Sequence, residues 1–442
     1  MFQTLKNAWK TPELKTKLLF TLLIVVLYRL GANIPVPWVS NDSLQYFEAQ
    51  AGGTILQQLS LLSGDAFGRA TLFALGVSPY ITASIVMQLL TIAIPKLENL
   101  AKEGESGRKK ISAITRIVTI VLALITAYGY SMYLYTFNYN GQRMLTFAVG
   151  SEGAVFKIIV MVACYCAGAA LVMWLAERIN DFGIGNGISI ILFANIIARV
   201  PTYIANLWNM IYDGTFRPVG LIWAVVIVAA VIAVIYFVVW FTNSERRIPV
   251  QYAKRVVGRK MYGGQSSSLP MKLNMSGVMP IIFANSIVAV PATLANFWPN
   301  SKFWNGVNSI FNYTKPLYIV IFIVLLVAFS FFYIMISFNP VEVANNIRNN
   351  GGAIPGIRPG KPTKDYIQKI LNRITFIGAV FLCCISALPL IVNAVAMIFK
   401  FSGFATLAFA GSSILIVTGV ALETIRELEA QLTMRNYKGF LD

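Results

Sequence analysis

Ten stretches of this chain are apolar and long enough to cross a bilayer, and none carries an Asp or Glu near its middle. A span needs roughly 20 mostly apolar residues, and Ile222 to Phe241 and Tyr318 to Ser337 supply them without one charge. The spans are expected at 18–38, 76–94, 112–135, 154–175, 184–206, 218–241, 275–297, 317–338, 374–395 and 404–422. Only 12% of the residues are charged and 57% are hydrophobic. A soluble chain carries about 25% charge, so this apolar surface must face lipid as well as core. The expected fold class is all-α, a polytopic membrane protein of ten transmembrane helices.

The net charge of +18 admits two readings, nucleic-acid binding or cytoplasmic topology, and placement decides between them. With the N-terminus in the cytoplasm, all but nine of the 36 Lys and Arg lie on or near cytoplasmic segments. The nine are Arg29, Arg69, Arg143, Lys157, Arg199, Arg217, Lys302, Lys315 and Lys400. Basic residues inside fix the orientation, and an even number of spans returns the C-terminus to the same side. The first span follows Lys6, Lys10, Lys15 and Lys17 and runs into Asn33-Ile-Pro-Val-Pro37 with no small-residue cleavage site, so it reads as an anchor. Two cytoplasmic loops are long and basic: 242–274 sets seven Lys or Arg against Glu245, and 339–373 sets six against Glu342 and Asp365. Orientation alone needs only a few charges near the helix ends, so this length argues for a further role.

Five spans followed by five make the second half, 207–442, enter the membrane from the side opposite to the first, 1–206. Such halves form inverted repeats with a site at their interface. The segment Ile55 to Leu75 mixes Leu59, Leu61, Leu62 and Phe67 with Gln57, Gln58, Asp65 and Arg69. It is too polar to span, and at membrane depth it must lie within protein or line a cavity. A short helix on the outer side that folds back into the structure is expected there.

Catalytic and ion-coupling signals are missing. Histidine is absent, which removes the commonest general base and metal ligand. The four cysteines, Cys164, Cys166, Cys383 and Cys384, sit in apolar segments as small hydrophobes. A charge at the bilayer centre costs roughly 2.5 to 3.5 kcal/mol on insertion scales and persists where function needs it. Asp65, Glu177, Asp181 and Glu423 fall at span edges or in loops instead. No phosphate-binding Gly-Lys-Ser/Thr loop is present. No cofactor, metal or catalytic residue is expected.

Ile81 and Ile85 stand one helical turn apart in the second span, as do Ile188 and Leu192 in the fifth. Spacing alone makes these ordinary packing pairs. Five strings then carry a resemblance in family order: Arg29-Leu-Gly-Ala-Asn-Ile-Pro-Val-Pro37, Ala74-Leu-Gly-Val-Ser-Pro-Tyr-Ile81-Thr-Ala-Ser-Ile85, Lys102-Glu-Gly-Glu-Ser-Gly-Arg108, Gly183-Ile-Gly-Asn-Gly-Ile-Ser189 and Pro355-Gly-Ile-Arg358-Pro-Gly360. Through nearly its whole length the chain resembles the SecY family, the central subunit of the bacterial protein-conducting channel.

The resemblance implies two inverted five-helix halves around an hourglass pore, with an apolar ring at the waist formed by Ile81, Ile85, Ile188, Leu192, Ile282 and Ile416. Leu192 replaces an isoleucine with similar size and polarity. It casts about 59–73 as a plug, carried by Leu59, Leu61, Leu62, Phe67 and Arg69. The second and third spans would face the seventh and eighth across a lateral gate, with Thr82, Ser84, Gln88, Asn285 and Ser286 easing its parting. The basic loops would dock the ribosome or the motor ATPase SecA through Arg358 and through Arg246, Arg247, Lys254, Arg255, Arg259 and Lys260. Ser268 and Asn436 stand where the family often has histidine, so roles of those histidines do not transfer. SecE-like and SecG-like small subunits, a signal-sequence-bearing polypeptide and the lipid bilayer of the plasma membrane complete the implied partners. The competing reading is a secondary transporter of a small solute, whose mark is a charged or unwound site at mid-depth. A membrane-embedded enzyme lacks both histidine and paired acids in the spans.

Overall fold

The computed structural model describes residues 2–40, 60, 62–137, 143–147, 150–212, 220–252, 255–257, 260–262, 266–295, 301–310, 316–398 and 410–438. A helix stands at each of the ten expected spans. In the first half these are α2 (Pro12–Gly31), α3 (Ser78–Ala93), α5 (Glu105–Thr136), α6 (Ala154–Phe182) and the successive α7 (Gly187–Ile197) and α8 (Val200–Tyr212). In the second half they are α9 (Gly220–Asn243), α10 (Met279–Ala295), α12 (Pro316–Ser337), α14 (Lys361–Ile398) and α15 (Ala410–Lys438). The amphipathic α1 (Phe2–Lys10), α4 (Pro95–Lys102), α11 (Lys302–Ile310) and α13 (Pro340–Asn349) connect or flank them. Among the described residues, five helical stretches are by themselves long and apolar enough to cross a membrane, and α3 with α4 makes a sixth, bent by 100°. Pro95 opens α4 and marks that break.

Local chemistry sets the ends. α2 starts with Pro12 in its first turn, carries Glu13 there and Arg29 in its last turn, and so complements its own dipole at both ends. The helix stops at Gly31, short of the expected 38. Pro35 and Pro37 deny the backbone donors a longer helix needs, and Phe73 packs where a Gly31 side chain would stand, 2.2 Å from the ideal Cβ. Asn186 caps α7, its side chain accepting from the backbone N–H of Ile188 at 3.1 Å and Ser189 at 3.4 Å. Leu22, Leu23, Ile117, Val121, Leu124 and Trp174 are exposed on the helix surfaces, as a lipid-facing belt requires.

The helices close a circuit of contacts: α3 packs on α10, α10 on α12, α12 on α14, α14 on α15, α15 on α7, α7 on α6, α6 on α5, and α5 back on α3. The largest core lies within this circuit and draws on both halves. A second core joins α5 and α6 to the segment around Phe67.

The two basic loops fold together rather than standing apart. β1 (Glu245–Tyr252) pairs antiparallel with β4 (Ser266–Lys272), in a register that sets Ile248 opposite Leu269. On its other edge β1 meets β5 (Gly352–Ala353), so the order is β4-β1-β5. A separate hairpin joins β2 (Arg255–Val257) to β3 (Lys260–Tyr262). Ile248 and Val250 are buried while Arg247 and Pro249 are exposed, the period-two alternation of a half-buried strand. The buried face packs with Met271, Ala344, Ile347, Ile367 and Ile370 into a core of its own.

Candidate functional site

α3 brings Ile81 and Ile85 into the central core, α7 brings Ile188 and Leu192, α10 brings Ile282, and α15 brings Ile416. Five of the six are buried, and Ile188 is half-buried against the same cluster. Four helices thus deliver six aliphatic side chains to one place, and none of these side chains offers a hydrogen bond to water. A narrow passage lined this way dewets and excludes ions.

The segment 62–73 seals against this core. Leu62, Ala66, Leu72 and Phe73 belong to or pack on the same cluster. Leu59 and Leu61 lie outside the described residues. The described part is not the continuous short helix expected: only 60 and 62–63 are helical, and turns run from 64 onward. Gly64 at φ +63°, Asp65 at φ +70° and Ala70 at φ +49° break helical propagation. The segment gains fixed partners in return. Tyr130 donates its hydroxyl to the Phe67 carbonyl, and Tyr165 donates to the Ala70 carbonyl at 3.3 Å. Phe67 also lies 4.4 Å from the Tyr130 ring, and Phe73 stacks on Tyr28 at 5.5 Å. Arg69 is exposed.

Four polar residues in and around this segment, Asp65, Arg199, Asn195 and Arg29, come together in a way the sequence reading did not anticipate. Arg199 pairs with Asp65, its Nε donating to Oδ2 at 3.0 Å. The fully buried Asn195 donates from Nδ2 to the Leu62 carbonyl at 2.8 Å and to the Tyr28 hydroxyl at 2.9 Å. Arg29 Nη1 reaches the Gly64 carbonyl and Asn195 Oδ1, both at 3.5 Å. The available signal was charge placement: Arg29 and Arg199 are two of the nine bases that the expected orientation leaves off the cytoplasmic side.

A cleft of about 140 Å³ opens between this segment, α3, α5 and α10, lined by Leu62, Phe67, Thr82, Asn285 and Ser286 among others. α10 packs on both α3 and α5, which places the seventh span against the second and third. Thr82 donates to the Ser78 carbonyl at 3.0 Å and Ser286 to the Ile282 carbonyl at 2.8 Å. Gln88 Nε2 donates to Ser84 Oγ at 3.3 Å. Each of these bonds stays within its own helix, so parting α3 from α10 breaks none of them.

On the sheet side, Arg246 and Arg247 are exposed on β1, and Arg247 Nε bonds Glu245 Oε1 at 2.7 Å. Arg255 and Lys260 belong to β2 and β3, while Lys254 and Arg259 lie outside the described residues. Arg358 is exposed in the turn before α14, and Thr363 Oγ1 ties that turn by donating to the Arg358 carbonyl at 2.8 Å. Between sheet and pore helices lies a vestibule of about 480 Å³ of mixed lining, with Lys272, Asn274, Glu423 and Arg426 beside Met279 and Leu415. Burial, and then the nearby Arg426, push the Lys272 ammonium below its ordinary pKa. Among the described residues no group of three or more His, Cys, Asp or Glu is placed to hold a metal ion.

Comparisons with known proteins agree with this arrangement. The family model for SecY matches residues 71–425. The protein translocase subunit SecY of Streptomyces galbus is 42% identical, with both chains covered in full. Among solved structures, a protein-conducting channel matches with a TM-score of 0.64 at 18% identity, covering 94% of this chain and 92% of that one. Sec61 in the canine ribosome-channel complex from the endoplasmic reticulum matches with a TM-score of 0.59 at 16% identity, over 94% and 92%. With a family model spanning most of its length and a full-length relative at this identity, the chain belongs to the SecY family.

Proposed function

We propose that this chain is the channel subunit of a protein translocase, a passive gated pore that passes unfolded secretory polypeptides across the bacterial plasma membrane and releases membrane segments sideways into lipid. The carrying observation is the convergence of Ile81, Ile85, Ile188, Leu192, Ile282 and Ile416 from four helices on one core inside a closed helix circuit. An aliphatic waist stops ions by dewetting yet yields to a polypeptide that stretches it. The segment 62–73 acts as plug, and the seam between α3 and α10, where Thr82, Gln88 and Ser286 bond within their own helices, acts as lateral gate. Halves 1–206 and 207–442 flank that seam, and both termini lie in the cytoplasm.

The chain hydrolyses nothing itself and takes its drive from a bound motor or from translation. Exposed Arg246, Arg247 and Arg358 on the folded basic loops attract the phosphates of ribosomal RNA or the acidic surface of SecA. The canine relative of this fold is seen with a ribosome, which supports the first partner. A mostly aliphatic groove of about 350 Å³, lined by Ile196, Val200 and Ile204 of the first half and Val228, Ile232 and Ile414 of the second, suits the helix of a SecE-like subunit that braces both halves. A SecG-like subunit belongs to the same reading.

A photoreactive side chain at position 282 tests it, in proteoliposomes holding this chain, its small partners, SecA, ATP and a secretory precursor stalled in transit. Signal-dependent adducts to the mature part of the precursor place a polypeptide in the pore. With active SecA, no adduct at 282 or at any other ring position overturns the reading and returns the weight to small-solute transport.

A further inference from the structure

We propose that Asp65, Arg199 and Asn195 form a latch that holds the plug in place and sets how strong a signal sequence must be before the channel opens; this rests on the channel reading. The ion pair is shielded, with side chains only 13% and 16% exposed for Arg199 and Asp65. Withdrawing Asp65 strands the Arg199 guanidinium in a poorly solvated place, where the loss of one partner is far more costly than at a surface. Asn195 adds a neutral tether through the Leu62 carbonyl, three residues before Asp65.

Backbone geometry shows how closely the parts are pressed together. Gly64 holds φ +63°, and a Cβ there would stand 2.7 Å from Arg29 Nη1 and 3.0 Å from Asn195 Oδ1. Asp65 holds φ +70° without being glycine, a conformation that persists where surrounding contacts over-determine it. Those contacts are the latch.

The latch is also wired to the ring. Ile188, Leu192 and Asn195 follow one another at helical spacings that share a face of α7, and Arg199 stands at the turn just beyond its end. Widening the waist at Ile188 and Leu192 therefore moves the helix that holds the Leu62 carbonyl through Asn195 and leads directly into Arg199. Release of the plug is tied to an incoming chain, and a weak signal sequence fails to supply the free energy needed. These are positioning residues, because they touch neither the gate seam nor the translocating chain.

The test compares transport of one precursor with an intact and with a defective signal sequence, in proteoliposomes of the complete complex. Asp65→Asn and Arg199→Gln each remove one charge at similar size. Each should raise the defective-to-intact transport ratio by about tenfold, equivalent to about 1.4 kcal/mol, while intact-signal transport stays at the parent rate. Arg199→Lys should stay near the parent ratio, and the double variant should exceed neither single one. Asn195→Ser, which shortens the tether and leaves the Asp65–Arg199 charges in place, should raise the ratio independently and serves if the charge variants do not accumulate. Parent ratios in these variants, or full addition of the two charge effects, overturn the latch alone. A parent complex unable to move the intact-signal precursor overturns the channel reading and the latch with it.

Discussion

Val278 occupies the space above Gly419, where a Cβ would stand 2.3 Å from Val278 Cγ1. Val278 leads into α10, which carries Ile282, and Gly419 lies three residues past Ile416 on α15. A β-branched side chain has little rotamer freedom with which to move aside. Gly419→Ala should push the two ring-bearing elements apart, at about 1–3 kcal/mol of overpacking. Conductance of the resting channel in planar bilayers should rise and the thermal midpoint in detergent should fall. Parent-level tightness to ions would show that α10 and α15 repack without widening the waist.

Ile81→Asn and Ile416→Asn bring an amide into a core where the parent residues are 5% and 1% exposed. Burying that group without partners costs about 1–3 kcal/mol, so water should enter with it. Ion leak should increase and rejection of defective signal sequences should weaken. Unchanged values of both would remove these positions from the seal.

Gly168 of α6 faces the backbone of the segment 62–73 so closely that a Cβ would lie 2.0 Å from the Leu72 carbonyl oxygen. Backbone cannot rotate away as a side chain does, so Gly168→Ala should lift the segment that we propose acts as plug. In a background with the native cysteines replaced by alanine and Ala66→Cys added, maleimide should react several-fold faster once Gly168→Ala is present. Ala66 is almost fully buried in the parent, which gives the assay its low baseline.

Ile367 is fully buried in the core beneath the β4-β1-β5 sheet. Ile367→Ala should cost about 2–5 kcal/mol locally and expose the many Lys and Arg of 242–274 and 339–373 to trypsin. The apolar waist is a separate core, so ion leak should stay at the parent level. Leak rising together with proteolysis would show that the two cores are one cooperative unit.

Arg358→Glu changes an exposed side chain in a surface turn, and such changes usually stay within about 0.5 kcal/mol of parent stability. SecA-driven transport or ribosome binding should nevertheless fall by about tenfold, the equivalent of about 1.4 kcal/mol. Equal transport at an equal thermal midpoint would take Arg358 out of the docking surface.

Span positions were legible because an apolar run of bilayer length is hard to place anywhere else, and a helix stands at each of the ten. The pairs Ile81 with Ile85 and Ile188 with Leu192 were visible only as packing pairs, since nothing local says that four distant helices bring them together. The family strings supplied that convergence. The basic loops were read for their length and charge alone, and their strands went unseen because Ser266 to Ser268, Pro249 and Pro270 give a weak strand signal. Tertiary pairing with a two-residue strand a hundred positions away, Gly352–Ala353, completes the sheet. Asp65, Asn195 and Arg199 were the hardest to see. The acid was read as a charge at a span edge, the base as an exception to the orientation rule, and the amide not at all, because their meeting depends on a chain reversal through left-handed residues.

The strand Gly352–Ala353 ties the turn before Arg358 to the hairpin that ends at Lys272. Both pieces are anchored to helices of the second half, through Ile334 of α12 and Ile367 to Ile374 of α14. A partner that docks on this platform, as proposed above, therefore pulls on helices of the second half. Load applied there reaches α12 and α14 directly, and through α10 and α15 it reaches α3 and α7 of the first half. On the channel reading proposed above, the platform is a crank fixed to one leaf of a two-leaf door.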